Sequence, residues 1–154
     1  MFHVVLYQPE IPPNTGNIIR LCANAGSTLH LIHPLGFVLE DSKLRRAGLD
    51  YRELMVIREH ADYGAFLGAL RPERLFAVTT RGAIPYHEVA YRPGDALLFG
   101  QETRGLPQAL VDNLPPEQRI RIPMLPGNRS LNLSNAAAVV LYEAWRQQGF
   151  AGGL

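Results

Sequence analysis

Arg119-Ile120-Arg121-Ile122-Pro123-Met124-Leu125-Pro126-Gly127-Asn128-Arg129-Ser130-Leu131-Asn132-Leu133-Ser134-Asn135-Ala136-Ala137-Ala138-Val139-Val140-Leu141-Tyr142-Glu143 reads as a strand, a loop and a helix. Alternation over Arg119 to Ile122 suits a short β-strand, which Pro123 ends because proline cannot donate to a ladder. Pro126-Gly127-Asn128 punctuates the loop. Ala137, Val140, Leu141, Ala144 and Gln148 then follow helical spacing, predicting a helix over 134–148 with one largely apolar stripe facing a core. Between loop and helix stand Ser130, Asn132, Ser134 and Asn135, packed around Leu131 and Leu133. One such residue suffices for an N-cap. Several together suit either a polar ligand or a buried backbone turn held at the helix entrance.

The same alternation of strand and helix runs through the rest of the chain. Phe2 to Tyr7 and Thr28 to Ile32 are apolar runs that predict buried strands, as do Leu75 to Thr80 and Asp95 to Gly100. A helix led by Asn14 or Thr15 as cap and ended by Gly26 separates the first two strands, with Ile18, Leu21, Cys22 and Ala25 inward and Asn17, Arg20 and Asn24 on another face. Asp41 or Ser42 can cap a short basic helix through Ala47, which carries Lys43, Arg45 and Arg46. Leu54 to Arg58 reads as a strand, Tyr63 to Leu70 as a helix, Ala83 to Pro93 as irregular, and Leu106 to Leu114 as a short helix. This pattern predicts an α/β fold with a mainly parallel sheet covered by helices on both faces. Ligands in such sheets bind beyond the carboxyl ends of strands. That rule selects Val78-Thr79-Thr80, Phe99-Gly100-Gln101-Glu102 and Ile122-Pro123-Met124 together.

At 154 residues the chain suits one core better than two, so residues 1–154 are expected to form a single domain. Hydrophobic residues at 47% and charged residues at 19% argue against disorder. No apolar run approaches a membrane span, and Met1 to Tyr7 lacks the form of a signal peptide, so a cytoplasmic location with no membrane association is the expectation. Cys22 alone cannot form an intrachain disulfide and has no metal-ligand neighbours in sequence, so no metal is expected. A net charge of +1 makes any nucleic-acid surface local. The five histidines read as packing or surface residues, and neither a G-x-G-x-x-G nor a P-loop is present.

Three stretches, in this order, carry a family resemblance: Asn14-Thr15-Gly16-Asn17-Ile18-Ile19-Arg20, then Phe99-Gly100-Gln101-Glu102-Thr103-Arg104-Gly105-Leu106-Pro107, then Ile122-Pro123-Met124 with Ser130 to Ala136. They resemble the three motifs of the SPOUT methyltransferases, and most closely the minimal tRNA (cytidine/uridine-2'-O-)-methyltransferases. The resemblance covers essentially the whole chain. It implies a C-terminal trefoil knot, which connection rules would not predict. It further implies a homodimer, tRNA as partner, S-adenosylmethionine as methyl donor with S-adenosylhomocysteine as product, and the 2'-hydroxyl of the wobble nucleotide, in leucine isoacceptors, as acceptor.

By the same resemblance the cofactor would lie among Val78, Thr79, Gly100, Glu102, Gly105, Ile122, Met124, Ser130, Leu131, Asn132 and Ser134. Asn14, Arg20, Glu102, Ser130 and Asn132 match the positions that carry catalysis or ligand positioning. A guanidinium is effectively never neutral, so Arg20 is read as an electrostatic clamp rather than a base. Lys43, Arg45, Arg46, Arg129 and Tyr142 are the expected RNA contacts, the last two near the active site. The rival expectations are a related methyltransferase for another tRNA or rRNA ribose, and a non-catalytic RNA-binding or assembly factor.

Overall fold

The computed structural model, which describes residues 1–154, resolves the apolar runs into one seven-stranded sheet. The strands are β1 (His3–Tyr7), β2 (Thr28–Ile32), β3 (Ile57–His60), β4 (Leu75–Val78), β5 (Ile84–Pro85), β6 (Ala96–Phe99) and β7 (Arg119–Arg121). They lie in the order β3-β2-β1-β6-β4-β7-β5, and every pairing is parallel. The helices are α1 (Pro12–Asn24), α2 (Asp41–Arg46), α3 (Tyr51–Leu54), α4 (Tyr63–Leu70), α5 (Gln108–Asp112) and α6 (Leu133–Gln147).

Alternate strand residues divide the core in two, as the period of a pleated strand requires. Val4, Leu6, Leu97 and Phe99 meet Ile18, Ile19 and Cys22 of α1 and Ala137, Val140 and Leu141 of α6. Val5, Leu98 and Ala77 face the other way, toward Phe66 of α4 and Val111 of α5. Helices therefore cover both faces, as the alternation of runs implied. Cys22 is fully buried, and desolvation pushes its thiol up to about 12, so it is a packing residue.

Local differences from the sequence reading have local causes. α1 begins at Pro12, with proline in its first positions and no side-chain cap at Ile11. Proline's fixed φ suits the first helical turn, so Asn14 and Thr15 lie inside the helix and are buried. The inner stripe accordingly runs through Asn14, Thr15, Ile18, Ile19 and Cys22, while Leu21 and Ala25 are only partly buried. α2 begins at Asp41 without a side-chain cap. The strand predicted over Leu54 to Arg58 is displaced to Ile57–His60, because α3, which Asp50 caps by accepting from the Glu53 amide, runs to Leu54. The segment 83–93 carries β5 and a short 3-10 turn at Tyr86–Glu88. α6 is capped by Asn132 rather than by Ser134 or Asn135: Asn132 Oδ1 accepts from both of their amides.

β7 is enclosed by one continuous segment. Val78 and Ile84 pair with the same residue, Ile120, from opposite edges. Residues 79–83 therefore cross over β7. Gly82 makes the crossing possible, since a Cβ there would fall 2.3 Å from the Ile120 carbonyl carbon. Arg121 Nη1 fastens the crossing by donating to the Gly82 and Ala83 carbonyl oxygens at 3.0 and 2.8 Å.

At the opposite ends of the strands Arg74 makes a two-pronged ion pair with buried Asp95, at 2.9 and 2.6 Å, tying β4 to β6. Beneath α4, three imidazoles form a row across β1, β2 and β3: His3 Nδ1 to His30 Nε2 at 3.0 Å and His30 Nδ1 to His60 Nε2 at 2.9 Å. These histidines are packing residues, as expected, but bonded to one another. Burial, then repulsion from His3 and His60, lowers the His30 pKa to about 3. The row is therefore neutral at physiological pH.

Candidate active site

Beyond the carboxyl ends of β6, β4 and β7 lies a cavity of about 540 Å³. That volume lies within the range of small-molecule sites. Val78 and Phe99, the last residues of β4 and β6, and Ile122, the residue next after β7, line it together. The strand-end rule thus selected the three stretches that meet.

One wall is a continuous hydrogen-bond chain. Asn132 Oδ1 accepts from the Ser134 amide at 2.9 Å and the Ser134 hydroxyl at 2.6 Å, which caps α6. Its Nδ2 donates to Asn14 Oδ1 at 3.1 Å. Asn14 Nδ2 in turn donates to Glu102 Oε2 at 3.3 Å. The Glu102 carboxylate also accepts from the backbone amides of Glu10 and Ile11, at 2.9 and 2.8 Å, at the N-terminus of α1. Anions are favoured at such a terminus. A reciprocal clasp completes the wall: Glu10 Oε1 accepts from the Thr103 hydroxyl and amide at 2.8 and 3.1 Å. The Thr103 hydroxyl, followed by its amide, holds the Glu10 carboxyl below its ordinary pKa.

Gly100 lets the chain from Gln101 to Gly105 double back against itself. A Cβ there would lie 2.3 Å from the Gly105 carbonyl carbon and the Leu106 nitrogen. Gly105 supports the reversal at a φ of +68°, and its amide donates to the Gln101 oxygen at 2.9 Å.

The other wall is looser. Residues 123–131 are exposed, and their one side-chain bond runs from Asn128 Nδ2 to the Leu125 carbonyl oxygen at 3.2 Å. From this side Met124, Arg129, Ser130 and Leu131 reach the cavity, and Thr80 and Arg81 reach it from the segment crossing β7.

Among the expected cofactor residues, Val78, Thr79, Gly100, Glu102, Gly105, Ile122, Met124, Ser130, Leu131 and Asn132 line the cavity; Ser134 stands behind Asn132. Asn14 and Arg129 are lining residues as well. Arg20 is not. It lies six residues beyond Asn14, about 9 Å along the helix axis, and donates to the Gly48 carbonyl oxygen at 2.7 Å beside Glu53. This places it next to the end of α2, whose Lys43, Arg45 and Arg46 are exposed. Tyr142 also lies outside the lining, packed edge-on against Trp145 and close to Phe150.

The sequence reading included Thr80, Gln101 and Thr103 only as members of the selected stretches and motif, and it did not single out Arg81 or Glu10. Position was the available signal for four of them, since they belong to or directly follow the strand-end stretches. Glu10, on the β1–α1 loop, had none. No cluster of His, Cys, Asp or Glu is arranged to hold a metal ion, and no helix is long and apolar enough to cross a membrane.

Comparisons place this geometry among known proteins. The SpoU rRNA Methylase family matches residues 1–142. A tRNA (cytidine(34)-2'-O)-methyltransferase of Burkholderia pseudomallei is 64% identical over 99% of both chains. A solved structure described as bearing on 2-OH methylation of C/U34 on tRNA is 49% identical, with a TM-score of 0.88 over 97% of both chains. An AdoMet-bound rRNA methyltransferase from Sinorhizobium meliloti is 27% identical, with a TM-score of 0.80 over 94% of this chain and 56% of its own.

Proposed function

The chain belongs to the SpoU rRNA Methylase family, and on that premise we propose that it methylates the ribose 2'-hydroxyl of the wobble nucleotide, cytidine or uridine, in tRNA. The observation that carries the reading is the convergence of three sequence-distant motifs on one cavity, locked together by the Asn132–Asn14–Glu102 chain. S-adenosylmethionine is the proposed donor. The residues present fit it: apolar Phe99, Val78 and Ile122 line the cavity, together with Gly100, Gln101 and Gly105 of the tight reversal. Val78, Thr79, Gly100, Gly105, Ile122, Met124, Leu131 and Ser130 would hold it, with Glu102, Asn132 and Ser134 fixing the loops behind. When bound, it supplies an electrophilic methyl group on a sulfonium.

The protein's own contribution is alignment. Holding two reactants in line can remove roughly 7 to 11 kcal/mol of barrier, and the bonded wall provides a fixed surface for it. Glu102 has both carboxylate oxygens occupied by donors, so its role is to position the α1 entrance and the Gly100–Gly105 loop. Ser130, at the exposed rim, is free to contact the acceptor ribose. The hydroxyl proton leaves to an RNA phosphate or to water.

Arg20 lies with the basic α2 face rather than in its own chain's cavity. We assign that face, with Lys43, Arg45 and Arg46, to gripping tRNA in a homodimer, so that one protomer presents RNA to the other's cavity. Arg20 would act there as the electrostatic clamp. A single domain closed by a trefoil knot, cytoplasmic and without a metal, completes the proposal. The crossing of residues 79–83 over β7 is what a threaded C-terminal segment requires. Mapping 2'-O-methyl groups in tRNA from cells lacking this protein tests the function. Loss at position 34 of leucine isoacceptors is expected, and wobble methylation unchanged in every isoacceptor would sink the proposal.

A further inference from the structure

The cavity's charged lining is divided by sign between its two walls. Glu102, Arg81 and Arg129 are its charged residues, and both Glu102 oxygens already accept hydrogen bonds, from the Glu10 and Ile11 amides and from Asn14. Arg81 and Arg129 are exposed, and neither belongs to any of the four ion pairs. Both stand on the β4–β7 side, opposite the carboxylate wall.

Arg81 is also unusually well placed for an exposed arginine. Its amide donates to Thr79 Oγ1 at 3.4 Å, the Gly82 amide donates to the Thr79 oxygen at 3.1 Å, and Arg121 clamps the next two carbonyls. The side chain hangs from a turn that cannot shift without disturbing β7. Less ordering is therefore left for a ligand to impose.

We propose that Arg81, with Arg129 also lining the cavity, grips a backbone phosphate of the RNA next to the nucleotide being methylated. The inference rests on the cavity being the methyl-transfer site. A guanidinium fork matches phosphate oxygens. The zwitterionic amino-acid end of a methyl donor is less well matched in charge to this lip, since its ammonium would meet two arginines there while the lining carboxylate is on the far wall.

The test pairs two titrations on the full-length protein: tRNA binding across a salt series, and S-adenosylhomocysteine binding by calorimetry. Arg81→Ala should flatten the plot of log affinity against log salt by about 0.7, the share of one phosphate on a single strand. It should leave S-adenosylhomocysteine affinity within about twofold, and Arg81→Lys should restore the slope. An unchanged slope overturns the proposal. So does an unchanged slope with S-adenosylhomocysteine affinity down about tenfold, which would assign Arg81 to the cofactor carboxylate. Wild-type protein that transfers no methyl to tRNA would overturn the functional reading itself. Wild-type transfer with an unchanged slope removes Arg81 alone.

Discussion

The two walls of the cavity are built on opposite plans. On the β6 and α1 side, Glu10, Thr103, Glu102, Asn14, Asn132 and Ser134 are joined side chain to side chain or side chain to backbone without a gap. On the β7 side, residues 123–131 are exposed and share one side-chain bond. A fixed surface can align a donor, and a loose one can admit a nucleic acid. The difference teaches that alignment and admission are assigned to different segments, which substitutions should separate.

The strongest attempt to break that division is Gly100→Ala. Its methyl would meet the Gly105 and Leu106 backbone at 2.3 Å, where no flexible side chain can yield. A loss of about 3 kcal/mol in urea denaturation is expected, together with loss of S-adenosylhomocysteine binding. A variant of wild-type stability that still binds would show that this wall is not rigid.

Asn14→Ala comes next. It leaves Asn132 Nδ2 without its acceptor and removes one donor from Glu102. About 2 kcal/mol of stability should go. Methyl transfer should fall about 100-fold, as expected of misaligned reactants. Single-turnover transfer at saturating donor would expose a mere binding defect, since the rate would then recover.

Acid provides a comparison with a region remote from both walls. His30 is neutral when folded, its pKa lowered to about 3, whereas an unfolded imidazole protonates near pH 6.5. The unfolded chain therefore binds more protons below that pH, and stability should fall as pH drops from about 6.5 toward 3, by up to about 1.4 kcal/mol per pH unit. Urea midpoints that stay level from pH 7 to pH 4 would contradict this.

Asn132→Ala removes the α6 cap and should cost about 1 kcal/mol from that term; Asn132→Asp keeps the cap acceptor but lacks the donor to Asn14. If the aspartate variant recovered stability but not transfer, capping and alignment would be separate duties of one residue. Equal recovery of both would merge them. Smallest of all, Asn128→Ala on the open wall should change stability by no more than about 0.5 kcal/mol. Amides of residues 124–131 should also exchange with deuterium well before those of Glu10, Ile11 and Thr103. Comparable protection on both sides would erase the contrast.

What was legible in the sequence followed from local periodicity. Val4 to Leu6, Leu29 to Ile32 and Ala96 to Phe99 announce buried strands because both faces of a covered parallel sheet are apolar. The strand-end rule then collected three loops into one site. Residues whose role depends on a distant partner were less readable. Local pattern read Asn14 as a cap and the family resemblance marked it as a site residue, but nothing nearby announced that Glu102 and Asn132 would reach it across 88 and 118 residues. Ala83 to Pro93 read as irregular, yet Ile84-Pro85 forms an edge strand, a place proline tolerates. Arg20 shares a motif with Asn14 but not its direction, because six residues of helix turn a side chain to another face.

The crossing of residues 79–83 over β7 also alters how the molecule resists force. A three-residue strand one place from the sheet margin would ordinarily peel away when its neighbour is tugged. Here a pull on the C-terminus must shear Ile120 from Val78 and Ile84 together, under a bridge that Arg121 itself fastens. A weak strand becomes a mechanical anchor, and a pull from the C-terminal side that has stripped α6 from the core would meet this double shear next, beside the cavity.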